Sequence, residues 1–203
     1  MSSTLKKTKR DEILETASKL FIENGFQSVS MDQLAAAVPV SKPTLYTHFQ
    51  DKRDIFAAVL AERCELALES LRADLVSHGS PKGQIRAFGQ HFLDLLLSKQ
   101  ALQLHKVIVA ESDAFPEMAR MFYETGPRRM NQLLAGYLQK ANEDKLLDVP
   151  DVEMAASLFM GMIKSGLHMR CLLGVHAGEP TKAEKERVLD AAVSVFMKAY
   201  SFN

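Results

Sequence analysis

Ser41-Lys42-Pro43-Thr44-Leu45-Tyr46-Thr47-His48-Phe49 is followed, one residue later, by Asp51-Lys52-Arg53-Asp54-Ile55-Phe56. Ser41 is an N-cap for a short helix, because its hydroxyl can accept one of the N–H groups that the first turn leaves open. Pro43 falls in that first turn, where a missing N–H costs little. Leu45 and Phe49 are spaced i, i+4 and share one face. Lys42, Thr44, Tyr46, Thr47 and His48 are left outward or at the ends. A helix pinned by its inner face, with hydrogen-bonding and methyl-bearing groups outside, suits a DNA major groove about 12 Å wide.

The segments on either side complete this unit. Upstream, Ser30 and Gln33 form a capping box for a second short helix, carried by Leu34, Ala35 and Ala37 to Val38 and stopped by Pro39. Before it, Thr8 caps a longer helix whose apolar face is Ile13, Leu14, Ala17, Leu20 and Phe21. Gly25 ends that helix and Phe26 supplies the contact beyond it. Two short helices joined by a tight turn behind a supporting helix make a helix-turn-helix. Leu45 and Phe49 face its core with Leu34 and Ile13. Downstream, Asp51 caps a fourth, long helix running to about Ser77.

The cap, recognition-helix and Asp51-Lys52 residues resemble the signature of TetR-family transcriptional repressors, in register over residues 10–60. Pro39 stands where the family's turn usually has Gly. The resemblance implies that Tyr46 and His48 donate to phosphate oxygens, and helix N-terminal chemistry adds Lys52 to them. Ser30 and Ser41 divide between capping and phosphate contact. Lys42 reads guanine O6/N7, and Thr44 and Thr47 meet a base edge or a thymine methyl, with Pro43 beside them.

Beyond the loop at His78-Gly79-Ser80-Pro81, longer helices are expected at about 81–98, 100–112, 116–125, 127–143, 151–173 and 182–200. Thr181 and Glu184 box the last one. The fold class is therefore all-α: a helix-turn-helix domain over 1–53, then a helical bundle over 54–203. His91-Phe92-Leu93, Val107 to Glu111, Phe115-Pro116-Glu117, Phe122 to Pro127, Gly161 and Gly174 resemble the AefR-like C-terminal domain of some TetR-family members. That resemblance implies effector binding and dimerisation. A largely apolar pocket is expected from some of Phe92, Leu96, Val107, Glu111, Met118, Met121, Phe122, Tyr123, Phe159 and Met162, for a small effector. Ala155, Leu158, Phe159, Met162, Val188, Ala192, Val195 and Phe196 lie on stripes that could pack across a two-fold axis in a homodimer.

Composition sets the outer limits. Of 203 residues, 47% are hydrophobic and 25% charged, an ordinary globular balance that excludes wholesale disorder. Lys+Arg and Asp+Glu are both 25, which excludes a bulk polybasic binder. Residues 1–53 carry 8 basic against 6 acidic groups, and Lys6, Lys7, Lys9 and Arg10 form a basic arm: the sign suits a DNA-binding head. Cys64 and Cys171 lack metal-ligand spacing and read as inert thiols, so no metal or cofactor is expected. The apolar run at 158–163 stops at Lys164, too short to span a bilayer, and the N-terminus lacks an apolar signal segment, which predicts a cytoplasmic protein. No nucleophile elbow, P-loop, dinucleotide fingerprint or HExxH points to catalysis. The reading is a DNA-binding regulator whose partners are a double-stranded operator, a small effector and a second copy. A repressor leads. An activator of the same fold is the alternative, as is a helical ligand-binding protein that does not touch DNA.

Overall fold

The computed structural model describes residues 8–38, 40–76 and 79–202. Pro39, Lys6 and Lys7 of the basic arm, and Ser77 lie outside the described residues. Among the described residues there are eleven helices and no strand. They are α1 (Lys9–Asn24), α2 (Met31–Ala37), α3 (Lys42–His48), α4 (Lys52–Val76), α5 (Pro81–Leu97), α6 (Lys99–Glu111), α7 (Pro116–Thr125), α8 (Pro127–Glu143), α9 (Val152–Lys164), α10 (Gly166–Leu172) and α11 (Lys182–Tyr200). No helix is long and apolar enough to cross a membrane among the described residues.

Local chemistry sets the helix ends. Thr8 with Asp11, Ser30 with Gln33 and Thr181 with Glu184 each form a reciprocal capping box. Asp51 Oδ1 accepts from the backbone N–H of Arg53 at 2.8 Å and of Asp54 at 2.9 Å, opening α4. Gly25 has φ 79°, a conformation costly to any residue with a Cβ, and its N–H reaches Phe21 O at 3.0 Å.

The chain divides into two compact units, one reaching to Arg63 and including Lys106–Phe122, the other Cys64–His105 with the chain from Tyr123 onward. The boundary expected between residues 53 and 54 therefore moves. The reason is packing: the first turns of α4 complete the head, with Ile55, Phe56, Val59 and Leu60 all buried. The Phe56 ring lies 5.2 Å from both Phe21 and Phe26, and Phe26 meets Phe115 at 5.2 Å. Ile13, Leu14, Ala17, Leu34, Leu45 and Phe49 fill the rest of this core. At roughly 1.5–3 kcal/mol per large apolar side chain, these rings fix the head more firmly than its short helices could alone.

The second unit is a bundle in which α5, α8, α9 and α11 pack together. Phe88, Phe92, Phe159 and Phe196 are buried at its centre, and the last two meet edge to face at 5.2 Å. Gly89 allows this closeness: a Cβ there would stand 2.8 Å from Leu189 Cδ1 and 3.0 Å from Phe159 Cζ. The single helix expected over 151–173 is two. Ser165, with φ −29° and ψ −164°, separates α9 from α10, and the Ser165-Gly166 pair supplies the weak helix propensity at which helices break. Cys64 is buried and burial raises its thiol pKa, as burial does for Cys171, so neither is an activated thiolate.

Candidate nucleic-acid interface

In the head, α1 packs on α2 and α2 on α3, so the inner faces are used by neighbours and the outer face of α3 is free. Leu45 and Phe49 point inward, 0% and 3% exposed. Ser30, Ser41, Lys42, Pro43, Tyr46, Thr47 and His48 are exposed, and Thr44 is half-buried. Eight of the nine residues expected at DNA thus lie on α3 or at the N-caps of α2 and α3, all exposed or half-buried. Not all have free groups. Ser41 Oγ accepts the Thr44 N–H and lies 2.8 Å from Thr44 Oγ1. Thr47 Oγ1 donates back to Pro43 O at 2.9 Å, which leaves its methyl as the outward group. Ser30 Oγ accepts from Gln33 N at 3.2 Å.

Lys52 corrects the expected pattern. Its ammonium donates to Phe26 O at 3.0 Å, Gln27 O at 3.1 Å and Val29 O at 3.0 Å, and it stands 4.5 Å from the centre of the Phe26 ring. A lysine has three N–H donors, and all three are spent on the loop between α1 and α2. Lys52 therefore clips that loop to the start of α4 and has no proton left for a phosphate.

Sequence reasoning missed Asp32. Its carboxylate pairs with the Lys42 ammonium across the outer surface of α2 and α3, and the pairing raises the lysine pKa. An acid in the first turn of α2, ten residues before the only lysine of α3, was the available signal. The pair ties Lys42 to the first turn of α2 and places a negative charge beside residues expected at DNA. Asp32→Asn is expected to raise affinity for non-operator DNA several-fold at low salt, measured by fluorescence anisotropy, and to narrow the gap between operator and random sequence. Equal or weaker binding to random DNA would show that Asp32 only props Lys42.

A helix-turn-helix head joined to a helical bundle matches known proteins over nearly all its length. Residues 13–59 match the family model for bacterial regulatory proteins of the tetR family. Residues 83–202 match that for the C-terminal domain of AefR-like transcriptional repressors. The chain belongs to the TetR family of DNA-binding transcriptional regulators. A solved TetR-family regulator from Mesorhizobium loti superposes on this one with a TM-score of 0.87, at 28% identity, covering 96% of this chain and 97% of that one. The flavonoid-responsive regulator FrrA superposes with a TM-score of 0.76 at 32% identity, covering 95% and 97%. In sequence, YvkB of Bacillus subtilis is 23% identical over 93% of this chain and 95% of its own. The match to the transcriptional activator FasR of Mycolicibacterium smegmatis, 31% identical, covers only 43% of this chain and 40% of FasR.

The residues expected to line a pocket in this TetR-family regulator fall in several different places. Phe92 and Phe159 are wholly buried in the bundle core. Val107, Glu111, Met118, Met121 and Phe122 belong to the head unit. There Glu111 Oε1 accepts the Gln27 N–H at 3.3 Å, Met118 is 3% exposed, and the neighbouring Glu117 pairs with Arg53 at 3.7 Å. Leu96 is half-buried against the bundle core. Tyr123 is exposed and lines a groove of about 470 Å³ with Arg128, Asn131, Glu153 and Lys164. Met162 lines a different groove of about 960 Å³ with Val188, Ala191 and Val195. Helical periodicity gave each residue a buried or outward face, but not the partner that covers it.

Proposed function

We propose that this TetR-family regulator is a repressor that binds its operator as a homodimer and is released by a small effector. One observation carries the control: residues 106–122, which follow the bundle's α6 residues directly in the chain, are built into the DNA-binding head. Phe115 packs on Phe26, Glu111 holds Gln27 and Glu117 pairs with Arg53. Lys52 clips the same 26–29 loop. A bound molecule that shifts α6 or α7 must therefore act on the loop that carries α2. By linkage, an effector preferring the shifted arrangement weakens DNA binding by the same factor that DNA weakens effector binding. Where the operator overlaps the promoter, a protein seated on it obstructs transcription, and release by effector makes it a repressor. An electrophoretic shift on the DNA upstream of its own gene, paired with a reporter in cells with and without the regulator, tests the sign. Higher reporter output in the regulator's presence would make it an activator.

The homodimer reading is supported by an apolar face on α9–α11. Leu158 is 53% exposed and Val195 56% exposed, and Met162, Val188 and Ala191 line the groove beside them. The expected stripe sorts in two: Ala155, Phe159, Ala192 and Phe196 are buried within the bundle itself, and the others are left for a partner. A second copy of the same face is the occupant that a two-fold operator calls for.

Within the head, Lys42 is the base-reading residue, and Tyr46 and His48 hold phosphates. Lys42→Ala should cost about 1–3 kcal/mol on the operator and much less on one already changed at the contacted base. Tyr46→Phe should weaken all sequences alike, since phosphate contacts carry little sequence information. Binding curves on matched operator variants check both. A uniform loss for Lys42→Ala would remove it from base reading.

A further inference from the structure

Two helices of the bundle leave a gap between them. The second half of α4 and one face of α8 are tied at two points. Glu65 pairs with Arg129. Further along both helices, Tyr137 Oη donates to Gln84 Oε1 at 2.7 Å, and Gln84 Nε2 donates to Leu75 O at 3.2 Å. The two helices therefore run in the same direction here. Between and beyond these ties lies a groove of about 720 Å³, within the size range of small-molecule sites, and every residue that lines it belongs to the bundle unit. Its wall is largely apolar. Leu68 and Leu75 are buried, and Leu133 and Tyr137 are half-buried against the core.

Gly136 stands on this wall, in the interior of α8. Glycine weakens a helix interior relative to alanine, so its presence calls for a reason. Packing supplies none, because a Cβ there would meet nothing within 4 Å. Backbone conformation supplies none either, because its φ is not positive. Its effect is to leave one turn of α8 bare, so that an apolar group can lie against the backbone.

Arg72 is the cation on the other wall. Seven residues beyond the Glu65–Arg129 pair, two turns along each helix, stand Arg72 on α4 and Gly136 on α8. Arg72 is exposed and makes no ion pair among the described residues. Glu69, three residues before it, is outside the groove's lining. The other lining cations are offset: Arg129 by Glu65, and Lys140 by Asp144, the one acid of the lining, four residues on. A guanidinium fork matches a carboxylate with two parallel N–H···O bonds, which are stronger than neutral hydrogen bonds. A groove that is apolar along its wall and carries one open fork suits a molecule with an apolar body and a single carboxylate.

We propose that the groove between α4 and α8 is the effector site and that the effector is a small amphipathic carboxylic acid, its carboxylate received by Arg72 and its body laid along Leu68, Leu133 and the bare turn at Gly136. The inference rests on the reading that this regulator binds an effector, and it adds that effector's place and chemical class.

The test uses the full-length protein without DNA and four probes: octanoate and 2-naphthoate, each with its methyl ester. Calorimetry at neutral pH should give at least one acid a Kd about tenfold or more below that of its ester. The two acids separate a chain-like body from a ring-like one. In Arg72→Gln, at an exposed position without an ion pair, the acid should bind within about twofold of its ester. Gly136→Leu fills the groove with a better helix former. It should weaken the acid about tenfold or more while the thermal midpoint does not fall. Equal binding of acid and ester overturns the proposal, as does a preference that survives in Arg72→Gln, full binding in Gly136→Leu, or no binding of either acid at millimolar concentration. Operator affinity is measured separately by anisotropy. If the acids bind through Arg72 and the operator is not released, the effector-controlled repressor reading fails while this site stands. If the esters release the operator as well as the acids do, the reverse holds.

Discussion

Val195→Arg is expected to turn this regulator into a monomer and to weaken operator binding by a factor of 10² to 10⁴. Val195 is exposed on α11 beside Met162, Val188 and Ala191, on the apolar face proposed for the second copy. Stable homodimers bury about 1,200–2,000 Å² or more, and a face used twice by two-fold symmetry receives each substitution twice. Two unpaired guanidinium groups forced into an apolar contact cost more than such an interface can spare. Once the heads are separate, the second half-site is no longer presented at high effective concentration, and that advantage of 10²–10⁴ disappears. Sedimentation at micromolar concentration should show a species of 22.6 kDa in place of one twice that mass. Leu66→Arg, at a comparably exposed position on α4, is the control and should leave both measurements unchanged. A dimeric Val195→Arg protein with normal operator affinity would rule out this face as the interface.

Lys52→Met should destabilise the head by about 2–4 kcal/mol. The three carbonyls of Phe26, Gln27 and Val29 lose an ionised donor together, two of them partly buried; a hydrogen bond to a charged group contributes about 1.5–3 kcal/mol net, and water can reach the exposed Gln27 carbonyl once it is freed. Lys52→Arg should rescue little, because a planar guanidinium cannot direct three N–H groups from a single atom to three surrounding carbonyls. Urea unfolding followed by circular dichroism reads the loss. The salt dependence of operator binding reads the alternative role. A phosphate anchor would lower the salt slope by about 0.9 per half-site when removed, whereas a loop clip leaves it unchanged under conditions where the variant is folded. Unchanged stability with a reduced slope would return Lys52 to the DNA.

These two residues also mark how far the sequence could be read. Lys52 at the start of a helix has the chemistry of an anion site, and nothing within its own element says otherwise. Its real partners are carbonyls about twenty-five residues earlier, on a loop whose path depends on Phe26 being drawn under Phe21, Phe56 and Phe115. Val195 was legible as apolar on a helix stripe, but so were Phe159 and Phe196, and only packing shows that those two rings face each other inside the bundle. Glu111 interrupts an apolar run, and nothing near it in the sequence indicates that it accepts a hydrogen bond from the loop before α2.

By itself the sequence determined most of the helices and their ends, though not the break at Ser165, together with the helix-turn-helix and its buried Leu45 and Phe49, because caps, i/i+4 faces and turn breakers act within a few residues of one another; the family followed from the motif those residues form. The tertiary structure decided four things: that 106–122 belongs with the head, that Lys52 is spent on the loop, that Asp32 holds Lys42, and that the His105 and His168 rings meet. Each depends on which distant segment covers a given face. Helical periodicity leaves that choice open, because any apolar stripe can pack against any other until the whole chain is placed.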